Sequence, residues 1–179
     1  MVIRVARFNI YLLALVVLVS ATGCRTAESR RNKQVAVLRV HLEVSRDPTG
    51  LGELVSVIRA SPMVLHVAKS AFLTESEVAK ARVIETRGGF ALQIQFDARG
   101  TILLEQVTAT NPGKRMVIKA QFGEKLENWR WLAAPVINRR IADGVLTFTP
   151  DANREETTEI ELGLNNLAAK TQPGAKEKK

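Results

Sequence analysis

The sequence predicts an α+β fold: an antiparallel sheet with two helices packed on one face, preceded by a small β-rich segment. Three observations predict it. Several short runs alternate apolar and polar residues with the period of a half-buried strand. Two longer stretches, Asp97–Asn111 and Asp151–Lys170, carry apolar residues at helical spacing. From residue 80 onward the order is strand, strand, helix, then strand, strand, helix. Tight turns join the strands as hairpins, and hairpins make antiparallel sheets.

The elements follow in order. Leu38, Val40, Leu42 and Val44 alternate with Arg39, His41, Glu43 and Ser45, which defines the first strand. Asp47-Pro48-Thr49-Gly50 ends it as a turn. Apolar pieces at 54–58 and 63–67 flank Ser61-Pro62 and complete a β-rich segment over 35–67. Thr74 with Glu77 three residues on forms a capping box for one short helical turn. Ala81–Thr86 is one hairpin arm, Gly88-Gly89 the turn, and Phe90, Leu92, Ile94 and Phe96 one face of the second arm. Asp97 caps the next helix, with Leu103, Val107 and Thr110 on one face and Ile102 beside them, and Asn111-Pro112-Gly113 stops it. Met116, Ile118, Ala120 and Phe122 mark another strand, and Gly123-Glu124-Lys125 turns the chain into Leu126–Ala133. Val145–Phe148 is a short strand after the Asp143-Gly144 turn. The last helix buries Ile160, Leu164 and Leu167, and Gly163 within it costs about 1 kcal/mol relative to Ala, which points to close backbone packing. Residues 68–170 thus form a ββα–ββα, ferredoxin-like head.

The two ends carry a different message. Arg4 and Arg7 precede the apolar run Ile10–Val19, and the small residues Ser20-Ala21-Thr22-Gly23 lead to Cys24, the single cysteine of the chain. That layout is a secretory signal over 1–23 with a lipid-attachment thiol at Cys24, although Ala21 stands where Leu is more usual. The run is ten residues, whereas a membrane-spanning helix needs about 20. Residues 24–34 read as a flexible tether and 171–179 as a disordered basic tail. Removing Arg4 and Arg7 lowers the net charge from +8 to +6. Much of the remainder lies in the ends, where it suits anionic head groups better than nucleic acid. With one cysteine no intrachain disulfide forms, so packing alone holds the domain. The expected place is the bacterial cell envelope, lipid-anchored and periplasm-facing. Arg25 at the second position after the cut favours the outer membrane.

Several segments resemble a known family. Leu73-Thr74-Glu75-Ser76-Glu77 through Ala81-Arg82-Val83, Phe96-Asp97-Ala98-Arg99-Gly100, Thr108 through Asn111-Pro112-Gly113-Lys114-Arg115, Ala134-Pro135-Val136-Ile137, and Phe148-Thr149 followed by Glu155-Glu156 occur in this order. Together they resemble the head subdomain of the first periplasmic region of the SecD or SecDF protein-export subunit. The resemblance implies an α+β head without catalytic residues, and translocon subunits or exported polypeptides as partners. The six membrane helices of that family have no counterpart in this sequence, so a proton-driven motor is not expected. Between Phe122 and Ala134 the chain is longer than the family hairpin, and Trp129-Arg130-Trp131 lies in the addition.

No spacing in the sequence points to a reaction centre, a cofactor, a metal or a small-molecule substrate. His41 and His66 fall on the polar sides of strands and read as surface histidines. Gly88-Gly89 is a hairpin turn, not a phosphate loop. Glu155 and Glu156, with Glu159 and Glu161, suit a helix N-terminus. Trp129 and Trp131 share one strand face with Arg130 between them, and this trio is the candidate protein-binding patch, since Trp and Arg dominate interface hot spots. Two readings follow: a non-enzymatic binding module assisting export, or a structural envelope lipoprotein that reuses the fold for another partner.

Overall fold

The computed structural model describes residues 28–29, 31–45, 50, 52–58 and 61–171. The chain divides into two units, Met1–Lys33 and Gln34–Lys179. In the first, residues 28–29 and 31–33 are helical, where an irregular tether is expected. The leader, Cys24, the turn at 47–49 and the tail beyond Thr171 lie outside the described residues.

Among the described residues the second unit holds nine strands: β1 (Val35–Leu42), β2 (Gly52–Val57), β3 (Met63–Ala68), β4 (Leu73–Thr74), β5 (Val78–Thr86), β6 (Gly89–Phe96), β7 (Met116–Gly123), β8 (Asn128–Ala133) and β9 (Val145–Phe148). Its helices are α1 (Ala98–Thr110) and α2 (Arg154–Thr171). A 3-10 turn spans Glu75–Glu77 between β4 and β5. Every pairing is antiparallel, as expected, but the strands divide over three sheets: β4-β1-β7-β8, β5-β6-β9 and the hairpin β2-β3.

The boundary expected between 67 and 68 is not a structural one. Strand β1 pairs with β7 along its whole length, from Val35 opposite Gly123 to Leu42 opposite Met116, and with β4 on its other side. It is therefore a central strand of the head. The hairpin β2–β3 forms a separate layer, joined to the residues after β1 by a bridge between Glu43 and Val67.

Two cores explain this layering. The larger gathers Leu38, Val40, Leu92, Ile118, Phe122 and Ile160 among others, between the two larger sheets and the helices. The smaller sets Val55, Val57, Leu65 and Val67 of the hairpin against Val117, Trp131 and Ala134. The four-stranded sheet is thus covered on both faces, which is why Met116, Val117 and Ile118 are buried consecutively.

Burial on both faces also corrects the reading of His41. Its side chain is only 7% exposed, with Nδ1 2.8 Å from the Ala68 carbonyl oxygen and its ring edge-on to Trp131 at 5.4 Å. His66 is half-buried on β3.

Helix α1 turns a different face inward from the one expected. Gly100, Leu104 and Thr108 are buried, whereas Ile102 is 64% exposed. Three apolar residues in a row, Ile102, Leu103 and Leu104, make the stripe ambiguous in sequence. Gly100 decides it: a Cβ there would lie 2.8 Å from Glu77 Cβ and 2.9 Å from Phe96 Cβ. Thr108 then accepts the Ile141 N–H at 2.9 Å. The helix is capped as expected, with the Asp97 carboxylate accepting the Gly100 N–H at 2.7 Å.

Helix α2 begins three residues later than expected because Asn153 caps it. Its side chain accepts the Glu156 N–H at 2.8 Å, and Glu156 accepts the Asn153 N–H at 2.9 Å. Ile160 and Leu164 are buried and Leu167 half-buried. Gly163 sits against the backbone of β1, where a Cβ would be 2.5 Å from Ala36 N and Val35 C. Asn165 both accepts from the Ala81 N–H at 2.8 Å and donates to the Ala81 carbonyl at 3.0 Å, so one side chain satisfies the free edge of β5. The hairpin turn between β5 and β6 is Arg87-Gly88, one residue earlier than expected, with Thr86 opposite Gly89.

Candidate binding groove along strand β8

Strand β8 closes one edge of the four-stranded sheet. Its pairing with β7 shifts register: Ile118 faces Ala133, yet Lys119 faces Trp131. Leu132 is the extra residue of a bulge, which bends the strand and re-aims its side chains. Trp131, packed with the hairpin residues of the smaller core, is only 9% exposed, while Trp129 is 60% exposed. The Lys119 ammonium links them, lying 4.9 Å from the Trp129 ring centre and 5.4 Å from that of Trp131.

Alternation sends Arg130 to the opposite side of the strand. There it donates two hydrogen bonds to the Glu156 carboxylate, at 2.6 and 2.7 Å, and one to the Asp151 carbonyl at 3.3 Å. The hydrogen bond to Glu156 holds the guanidinium pKa above its ordinary value. Of the three residues singled out by sequence, Trp129 is presented to solvent, Trp131 supports it from the core, and Arg130 ties β8 to α2.

The open space lies along the outer edge of β8. One cavity of about 490 Å³ is lined by Ile58, Leu132, Pro135, Phe148 and Pro150 among others. A second, of about 530 Å³, is lined by Ser56, Ile58, Pro62, Trp129, Arg130 and Trp131. Ile58 and Asp151 line both, so the two form one groove that runs beside β8. Beside it the Asp151 N–H donates to the Leu132 carbonyl at 2.7 Å. Ile58 holds φ at +68°, a left-handed backbone that a β-branched residue rarely adopts. Such strain concentrates at sites under functional constraint.

Sequence reasoning missed Ile58, Leu132, Phe148 and Pro150. They come from three separate segments, and no spacing links them. Pro135 and Phe148 lay within motifs of the family resemblance but carried no assigned role there. Among the described residues, no three His, Cys, Asp or Glu side chains gather closely enough to hold a metal ion.

The quoted sequence motifs serve as joints of this frame. Thr74 and Glu77 form the full capping box, with the Glu77 carboxylate accepting the Thr74 N–H at 2.9 Å. The Asp97 N–H donates to the Glu77 carbonyl at 2.8 Å, so the first motif meets the second. Residues 113–116 pair with 134–137: Met116 donates to Pro135 at 3.0 Å, Ile137 to Lys114 at 2.8 Å, and Gly113 to Ile137 at 2.9 Å. The third motif thus zips onto the fourth, whose Ala134 and Pro135 line the groove.

The fold and groove define a mixed α+β head of antiparallel sheets whose accessible features are surfaces suited to binding. The chain belongs to the SecDF P1 head subdomain family, whose model matches residues 53–169, more than half of its length. Two solved structures share the fold. One is a membrane component SecDF that enhances protein export, with 20% identity, a TM-score of 0.54, and coverage of 79% of this chain and 67% of the other. The second is SecDF in a super-membrane-facing form, with 21% identity, a TM-score of 0.51, and coverage of 75% of this chain and 19% of the other. The chain thus spans about a fifth of that second protein. No curated protein matches the sequence. No helix among the described residues is long and apolar enough to cross a membrane.

Proposed function

We propose that this protein is a non-enzymatic, lipid-anchored module of the cell envelope that contacts polypeptides or translocon subunits during protein export. The observation that carries the reading is the apolar groove beside the edge of β8. An extended chain fits such a groove, with its apolar side chains on half-buried Ile58 and Pro135 and its backbone beside the strand edge. Trp129 stands at the upper end as an exposed aromatic anchor. Acylation at Cys24 keeps the head at the membrane face, with the outer membrane favoured by Arg25. Family membership, and the role in export stated for one SecDF structure, support the link to export.

The test is in-cell photo-crosslinking from position 129, because Trp131 is buried. Position 102 on the exposed side of α1 serves as control. Many exported chains, or translocon subunits, captured from 129 and not from 102 are the expected result. Capture of one envelope protein unrelated to export would replace this reading with that of a scaffold.

A further inference from the structure

The hairpin β2–β3 has an outer surface that the other described residues leave open. Val55, Val57, Leu65 and Val67 point into the smaller core, so alternation turns Leu54, Ser56, Val64 and His66 outward. Leu54 is 63% exposed and Val64 61%. Trp129 extends this surface: it lines the end cavity with Ser56, and Ser56 lies opposite Val64 in the hairpin. Three of the four large apolar side chains most exposed among the described residues therefore share one side of the head.

Beside this ridge lies a polar trough of about 420 Å³, lined by Arg39, Lys69, Lys119, Gln121 and Glu53 among others. Arg39 is paired with Glu75 at 2.9 Å. Among the described residues, neither Lys69 nor Lys119 has a carboxylate at ion-pair distance. Lys119 borders both trough and ridge, since its ammonium lies against Trp129.

We propose that this face docks on an anionic phospholipid bilayer, with Leu54, Val64 and Trp129 entering the interface and a lipid phosphate seated in the trough by Lys69 and Lys119. Aliphatic side chains, an interfacial tryptophan and adjacent cations are the combination that a bilayer surface takes up. A soluble anion would call for the cations and leave the ridge unexplained. The proposal takes proximity to a membrane from the lipid anchor. Cys24 lies eleven residues before Val35, a tether of at most about 40 Å, so an anchored head stays within reach of the surface.

The experiment uses the full chain with vesicles of phosphatidylcholine alone, or of phosphatidylcholine and phosphatidylglycerol at about 7:3, each with brominated acyl chains. Quenching of tryptophan emission is read, and Trp129→Phe separates the Trp129 share from that of buried Trp131. Expected is quenching of Trp129 that needs phosphatidylglycerol. Lys69→Gln with Lys119→Gln should weaken it about thirtyfold in lipid concentration, at roughly fivefold per charge. Leu54→Ser with Val64→Ser, both at exposed positions that leave folding intact, should abolish it. Quenching that is absent, equal in both vesicles, or retained in the serine variant overturns the proposal. Palmitate incorporation at Cys24 is scored separately. An acylated chain without quenching loses the docking alone, and a quenched chain without palmitate loses the anchor alone.

Discussion

A methyl group on Gly163 would fall 2.5 Å from two backbone atoms of β1, which cannot step aside without breaking their pairing with β7. Overpacking of this kind costs about 1–3 kcal/mol, and it more than offsets the ~1 kcal/mol that alanine returns inside a helix. Gly163→Ala is therefore expected to lower the urea midpoint, and a raised midpoint would show that helix and strand are not in contact there. Asn165 acts oppositely, by supplying polar atoms. Leucine at 165 fills similar space but strips the Ala81 N–H and carbonyl of both partners, a loss of about 1–3 kcal/mol by denaturation. Asparagine replaced by glutamine should recover part of that loss if hydrogen bonding is the cause. Gly163 was legible in sequence because glycine inside a strong helical pattern demands a packing reason. His41 was not, because its burial depends on the hairpin layer, whose position over the sheet no local pattern records.

At the scale of elements, the turn between β4 and β5 carries a pH dependence. Burial pushes the Glu77 carboxyl up, but hydrogen bonds from the Thr74 hydroxyl and N–H, then Ser76 and the charge of Arg99, outweigh it and hold the pKa below the usual 4.5. A carboxyl depressed in the fold adds stability above its unfolded pKa and gives it up as pH falls through the folded value. Wild-type protein should thus lose stability between about pH 5 and 3 more steeply than Glu77→Gln, with the two curves converging at the acid end. Parallel curves over that range would remove Glu77 as the cause. This turn was readable because a capping box is local: Thr74 and Glu77 find each other three residues apart. The face of α1 was not readable, since its inward side is chosen by Gly100 meeting β6 and the same turn from elsewhere in the sequence. The bulge at Leu132 was equally hidden. Trp129 and Trp131 share a face, as alternation places them, and differ in exposure because the β2–β3 hairpin packs on Trp131 alone.

For the whole molecule, the decisive element is β1. The family match begins at residue 53, after β1, and the sequence alone places the head at 68–170. Yet β1 lies between β4 and β7, contributes Ala36, Leu38 and Val40 to the larger core, and forms the surface on which Gly163 rests. Hydrophobic periodicity identifies a strand but not its neighbours, and pairing between residues 35–42 and 116–123 spans a separation that no local rule reaches. A fragment beginning at 68 would expose Ile118, Ala120 and Phe122 to water along an unpaired edge of β7, an aggregation-prone arrangement. Expressed alone, residues 68–170 are expected to lack a cooperative thermal transition, whereas residues 34–171 should show one. Adding a peptide of residues 34–45 to the shorter fragment should restore near-ultraviolet dichroism from Trp131, because β1 carries both the strand and the His41 ring against that indole. A cooperative transition from 68–170 without the peptide would make β1 an ornament of the head, and the groove along β8 would then have to be sought in the shorter domain by itself.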